Sequence, residues 1–246
     1  MSGSYQARPV VLTIGGSDSC GGAGIQADLR VFEALHVHGC SATTALTAQH
    51  PEAVIRIEPV SLAQLDAEMH AVFDYYDVAV VKTGMLVDAE HIALVSALLS
   101  ELHQGALVID PVMVSSSGVV LLDAGAIGAL TQALFPVATL ITPNQEEADF
   151  LFGLHGDISA TEMASMVDQV GCAVLLKGGH SNEALLVDRL CERDGTLHEF
   201  SHPRQIWDLE QRHGTGCRLA SAISANLAHA MPLPEAVEQA IHYLQC

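Results

Sequence analysis

The chain has 246 residues, half of them apolar and 16% charged, which excludes a disordered or fibrous protein and suits an α/β domain with a sizeable core. Its formal net charge of −19 comes from 29 acidic residues against only 10 Lys plus Arg, so its surface repels nucleic acid and anionic membranes. Six cysteines without a C-x-x-C pair or zinc-like spacing, no signal-peptide core in residues 1–9, and no apolar run of roughly 18 residues make a cytoplasmic protein with free thiols the expectation.

An apolar run at 10–14 predicts the first buried strand, and the glycine-rich stretch 15–24 leads from it into a helix over 25–35. Helical periodicity then marks 62–73, 89–102, 124–134 and 161–170. Short β-branched or Leu-rich runs mark strands at 78–81, 107–109, 139–141 and 173–176. Residues 187–192 and 197–200, around Asp194-Gly195, predict an edge hairpin, and helices over 215–230 and 234–244 close the chain. Continuous apolar strands with helical crossovers imply a mostly parallel sheet covered on both faces. No repeat, linker or composition break divides residues 1–246, so one domain is expected. Ligands of open α/β sheets collect at the carboxyl ends of the strands. The polar or glycine-rich junctions 15–24, 82–85, 110–113, 142–147 and 177–180 are therefore expected to form one site.

Gly22-x-Gly24-x-x-Ala27 fits a dinucleotide fingerprint in outline, but 41–48 lacks the acidic residue that would hold the ribose. The four close glycines fit a tight turn and also backbone approaching a ligand. No G-x-x-x-x-G-K-[ST] motif is present, which excludes a P-loop. His213-Gly214-Thr215-Gly216-Cys217 precedes an apolar helical run. Its successive backbone N–H groups suit phosphate oxygens, although a Gly-x-Gly helix start is as often structural. The helix end should lower the Cys217 thiol pKa; an inert core cysteine is the plainer reading. Asp110 and Glu147 each follow a strand and suit Mg²⁺, while Asn144 and Glu147 also suit a capping box. Lys82 and Lys177 are the chain's two lysines, both at strand ends. A mobile cation at Lys177 could follow a transferring phosphoryl group.

Taken in order, these segments resemble the hydroxymethylpyrimidine/phosphomethylpyrimidine kinases of thiamine biosynthesis, in the ribokinase-like superfamily. The resemblance is carried by Gly16-Ser17-Asp18-Ser19-Cys20-Gly21-Gly22-Ala23-Gly24-Ile25-Gln26-Ala27-Asp28, Thr44-Ala45-Leu46-Thr47-Ala48-Gln49 and Lys82-Thr83-Gly84-Met85. It continues through Asp110-Pro111-Val112-Met113, Thr142-Pro143-Asn144, Lys177-Gly178-Gly179-His180 and the His213–Cys217 segment. It implies a three-layer α/β/α ribokinase-like fold, ATP with Mg²⁺, a small-molecule pyrimidine substrate and a homodimer. It further implies that Gly16, Asp28, Gln49 and Met85 hold the pyrimidine. Asp110 and Glu147 would serve the metal; Asn144, Lys177 and Thr215 the nucleotide; and Gly214 and Gly216 an anion hole. Cys217 replaces the aspartate base of related sugar kinases, which suits a nucleophile that is already an anionic phosphate.

The sequence departs from this family's usual pattern at His50-Pro51-Glu52-Ala53, Gln211-Arg212, Arg218 and Ile241. Ile241 stands where the last helix commonly carries a lysine, a role that Arg212 or Arg218 could take over. The implied activity is ATP-dependent phosphorylation of 4-amino-5-hydroxymethyl-2-methylpyrimidine and its monophosphate. The alternatives are a pyridoxal kinase and a degenerate kinase that only binds ligand.

Overall fold

The computed structural model describes residues 8–115, 117–122, 125–178 and 184–245. Gly179 and His180 of the Lys177 motif, Ala124 at an expected helix start, Cys246 and most of the amino-terminal stretch 1–9 lie outside the described residues.

The elements run β1 (Val10–Asp18), α1 (Gly24–Ala34), β2 (His38–His50), β3 (Ala53–Pro59), α2 (Leu62–Phe73), β4 (Val78–Thr83), α3 (Ala89–Leu102) and β5 (Ala106–Ile109). Then follow α4 (Ala126–Ala129), β6 (Leu140–Ile141), α5 (Gln145–Phe152), α6 (Ala160–Val170), β7 (Ala173–Leu176), β8 (Leu185–Cys191), β9 (Leu197–Pro203), α7 (Leu209–Arg212), α8 (Thr215–Ala228) and α9 (Leu233–Gln245). The helix predicted over 124–134 is irregular: α4 widens into a π-turn at Leu130–Leu134, and Pro136 sits in a final tight turn. Local chemistry sets the other boundaries. Asp88 caps α3 by accepting from the Glu90 and His91 amides. A Ser159–Glu162 capping box starts α6, and Gly171, at φ 73°, ends it in the left-handed region.

The described strands form one nine-stranded sheet in the order β3-β2-β1-β4-β5-β6-β7-β8-β9. The centre from β2 to β7 is parallel, as predicted. The edge hairpin β8–β9 is present and pairs antiparallel with β7. At the opposite edge β2 and β3 form a second antiparallel hairpin that periodicity missed. Strand β2 is built largely of Ser, Thr and Ala, so it carries no apolar run to announce it. Pro51-Glu52 is simply its turn.

Central side chains alternate between faces with period two. Leu12, Val81, Ile109, Ile141 and Val174 enter one core with α2, α3, α4, α5 and α6. Val11, Val80, Val108, Leu140 and Leu175 enter the other with α1, α8 and α9. Three layers result. Because β1 is flanked by β2 on one side and β4 on the other, strand order reverses there, opening a crevice at the strands' carboxyl ends.

Beneath that crevice lies a buried ion pair. Lys82 Nζ donates to Asp28 Oδ2 at 2.8 Å, and each residue is only 1% exposed. Thr13 Oγ1 donates to the same carboxylate oxygen at 2.6 Å and Ser221 Oγ to the other at 2.7 Å. One carboxylate thus binds β1, β4 and α8 to its own helix α1. Burial opposes charge on Lys82, but the facing Asp28 together with Asp110 outweighs it and raises the ammonium pKa. Removing one partner strands the other charge, so Lys82→Met should cost about 3–5 kcal/mol in urea unfolding. Adding Asp28→Asn to Lys82→Met should restore part of that loss.

Candidate active site

The crevice is a cleft of about 800 Å³, and every residue expected to serve the pyrimidine, the nucleotide, the metal or the anion hole lines it. Gly16 comes from β1, Asp28 from α1, Gln49 from β2, and Met85 from the segment after β4. Asp110 follows β5, Asn144 and Glu147 open α5, Lys177 follows β7, and Gly214, Thr215, Gly216 and Cys217 open α8. Residues from one half of the chain therefore meet those from the other. Sequence reading missed one wall, made by Val114, Val120, Leu121 and Leu122, where Val114 and Val120 bridge antiparallel. Apolar residues without period 2 or 3.6 give no signal for such a flap.

At one end, Lys177 Nζ donates to Asp110 Oδ1 at 3.0 Å and lies 3.8 Å from Glu147 Oε2. Thr142 Oγ1 donates to the same Asp110 oxygen at 3.2 Å. The capping box of α5 is present: Asn144 Oδ1 accepts from the Glu147 amide at 2.9 Å, and Glu147 Oε2 from the Asn144 amide at 2.8 Å. The cap therefore fixes the carboxylate that faces Lys177. Burial acts to raise the Asp110 pKa, but Lys177 and Lys82 outweigh it and hold the carboxyl below its usual range. Glu147 goes the other way. Burial, relieved by Lys177 but reinforced by Asp110, lifts its pKa to about 7.

The α8 start closes the same end. A Cβ on Gly216 would lie 3.3 Å from Lys177 Nζ and 3.7 Å from an Asp110 carboxylate oxygen, so the first turn of α8 abuts the acid–lysine cluster. Gly214 takes φ 77°, and a Cβ there would run into the Gly22 carbonyl. The expected lowering of the Cys217 pKa is not found. Burial, opposed by Lys82 and reinforced by Asp110 and Asp28, lifts it to about 12, so the group is a neutral thiol. Desolvation and two carboxylates outweigh Lys82.

The clustered glycines also have a different explanation from ligand approach alone. Gly22 packs on the His213 ring and Gly24 on the Gly16 carbonyl, so much of the close approach is of protein on protein. Asp18, 2% exposed, organises that contact. It accepts from the Cys20 amide at 2.9 Å and the Ala23 amide at 2.8 Å, and His213 Nε2 lies 3.0 Å from its Oδ2. Burial pushes the Asp18 pKa up, but these hydrogen bonds win and hold it low. No sequence signal links positions 195 residues apart.

At the far end a Cβ on Gly16 would lie 3.0 Å from Met85 Sδ, and Thr44 Oγ1 fixes the Met85 carbonyl at 2.6 Å. Ser19 Oγ and the Gln49 backbone exchange two hydrogen bonds, holding Gln49 at the rim. Asp28 lies at the floor with its carboxylate engaged by three protein donors. Of the candidate substitutes for the absent lysine, Arg212 lines the cleft, whereas Arg218 donates to the Gln211 carbonyl. Ile241 is buried in the core between α8 and α9.

Comparison with known proteins agrees with this geometry. Residues 18–246 match the family model described as phosphomethylpyrimidine kinase. The chain is 44% identical over 240 residues to the thiamine biosynthesis bifunctional protein ThiED of Geobacter sulfurreducens, covering 96% of this chain but 48% of that protein. It is 41% identical to the hydroxymethylpyrimidine/phosphomethylpyrimidine kinase of Haemophilus influenzae, covering 95% of this chain and 88% of the relative. Among solved structures, phosphomethylpyrimidine kinase from Clostridium difficile 630 superposes with a TM-score of 0.82 at 35% identity, covering 97% of this chain and 98% of the other. Pyridoxal kinase from Staphylococcus aureus in complex with AMP-PCP gives a TM-score of 0.86 at 30% identity, covering 97% and 87%.

The raised Glu147 pKa sets a pH dependence. A carboxyl that titrates near 7 when folded and near 4.5 when unfolded stabilises the fold most at low pH and loses that contribution as pH rises through 7. Glu147→Gln keeps a capping group without the charge. Its stability relative to wild type should therefore rise by about 3 kcal/mol between pH 4 and pH 8, measured by urea unfolding.

Proposed function

The chain belongs to the phosphomethylpyrimidine kinase family, and from that premise we propose that its cleft phosphorylates 4-amino-5-hydroxymethyl-2-methylpyrimidine and then the monophosphate. The observation that carries this reading is the convergence of Lys177, Asp110 and the Gly216 turn within 4 Å of one another, facing Gly16 and Met85 across one cleft. ATP is the phosphoryl donor, in keeping with the AMP-PCP complex of the similar pyridoxal kinase. The donor set of Asp110 and Glu147 is oxygen only, buried and partly uncompensated, which fits Mg²⁺ and not a softer ion. Those two residues would hold Mg²⁺, which supplies charge neutralisation among the phosphates.

The chain's own groups do the rest. Backbone N–H groups at Gly214, Thr215 and Gly216, with the dipole of α8 behind them, face the transferring phosphoryl oxygens. Lys177 is tethered by Asp110 at 3.0 Å and adds a full positive charge beside that turn. Gly16, Gln49 and Met85 line the pyrimidine end, while Asp28 supports the floor through Lys82. Cys217 brings no negative charge to the acceptor, so an anionic monophosphate meets no repulsion there. We place the protein in the cytoplasm on its free cysteines. Among the described residues no helix is long and apolar enough to cross a membrane. We further propose a homodimer, in which a second copy covers the exposed Leu46 and Ile55 of the β2–β3 hairpin.

Incubating the protein with Mg-ATP and each acceptor tests the reading by mass spectrometry. The pyrimidine should yield mono- and then diphosphate; pyridoxal phosphate as the main product, or binding without turnover, would overturn it. The neutral thiol generates a second expectation. Cys217→Asp should lower kcat/KM for the monophosphate at least about tenfold more than for the alcohol, roughly 1.4 kcal/mol of added repulsion. Cys217→Ala should leave the ratio of the two steps nearly unchanged.

A further inference from the structure

Away from the Asp110–Glu147 cluster, three groups of different chemistry converge where the glycine-rich loop meets the start of α8. Asp18, Cys20 and His213 each place one donor atom within 4.8 Å of the other two. Cys20 Sγ lies 3.4 Å from Asp18 Oδ2, and His213 Nε2 lies 3.0 Å from that oxygen. In a tetrahedral zinc site with bonds of about 2.0–2.3 Å, neighbouring ligand atoms stand about 3.3–3.6 Å apart, so these spacings need little adjustment. We propose that Asp18, Cys20 and His213 form a binding site for one Zn²⁺-class ion that fastens the glycine-rich loop to the start of α8.

Three further features support the site. The Asp18 carboxylate is oriented by the Cys20 and Ala23 amides, the kind of outer contact that fixes a ligating group. Asp18 and His213 are buried, whereas Cys20 is exposed, which gives an ion a route in and leaves the fourth position to water. The donor set of sulfur, nitrogen and oxygen prefers Zn²⁺ over Mg²⁺, because thiolate and imidazole are softer than carboxylate and water. On binding, the thiol proton leaves to solvent and the imidazole ligates through Nε2 in its neutral form. The ion would clamp two loops that are already in contact, since Gly22 packs on the His213 ring and Gly214 against Gly22. Both loops line the cleft, through Ala23, Gly24 and Gly214. Occupancy would thus stiffen its walls without adding a group to the acid–lysine cluster.

The test uses metal alone on the full chain. Titration of the reduced protein with Co²⁺ should produce a thiolate-to-cobalt charge-transfer band, and calorimetry with Zn²⁺ should give one equivalent bound. Cys20→Ser should abolish the band and weaken Zn²⁺ binding at least about tenfold, roughly 1.4 kcal/mol. Its unfolding without metal should match wild type, which separates a lost ligand from a lost fold. Cys40→Ser should change nothing, and saturating Mg²⁺ should not displace the Zn²⁺. Equal binding by wild type and Cys20→Ser, loss of the band in Cys40→Ser, or displacement by Mg²⁺ would overturn the assignment. None of these readouts depends on which acceptor the kinase phosphorylates.

Discussion

The buried pair of Lys82 and Asp28 holds the two halves of this molecule in register. Two opposite charges taken out of water are tolerable only when close and fully hydrogen-bonded, and Thr13 and Ser221 complete that arrangement. Because the four side chains come from β1, α1, β4 and α8, meeting the electrostatic demand also fixes where α8 begins. The site depends on that. If the first turn of α8 slid, Gly216 would leave Lys177 and Gly214 would lose its contact with the glycine-rich loop.

Around this anchor the cleft separates two electrostatic environments. One end holds Asp110, Glu147 and Lys177 close enough for their protonation to be set jointly, with Asp110 held ionised and Glu147 poised near neutrality. The other end presents glycine, Met85 and Gln49, which offer shape and hydrogen bonding with little charge. Burial and the nearby Asp110 and Asp28 carboxylates keep the Cys217 thiol protonated. On the function proposed above, a charged acceptor and an uncharged ring would be held in one cleft without mutual interference.

Much of the fold was legible because strong local signals coincide with the elements. Periodicity marked α2 and α3 to the residue, and the turn at Asp194-Gly195 marked the β8–β9 hairpin. Strand β2 was hidden because Ser, Thr and Ala carry no apolar run, although its alternating burial is ordinary once β1 pairs with it. The candidate site was legible as a set, since ordered motifs at strand ends must meet in a parallel sheet. Its electrostatics were not. The Cys217 shift depends on how close Asp28 and Asp110 come, which no spacing along the chain contains.

The layered α/β architecture, the family and most of the cleft's lining, though not its wall of Val114, Val120, Leu121 and Leu122, follow from patterns or motifs carried within short segments. Only the tertiary structure decided which groups are charged and which side chains act together. It lifted the Glu147 pKa to about 7, placed Ile241 in the core, and brought His213 to Asp18 and Cys20 where no zinc-like spacing exists. The physical reason is that protonation and coordination depend on distance and desolvation in space, and folding sets those between residues far apart in the chain.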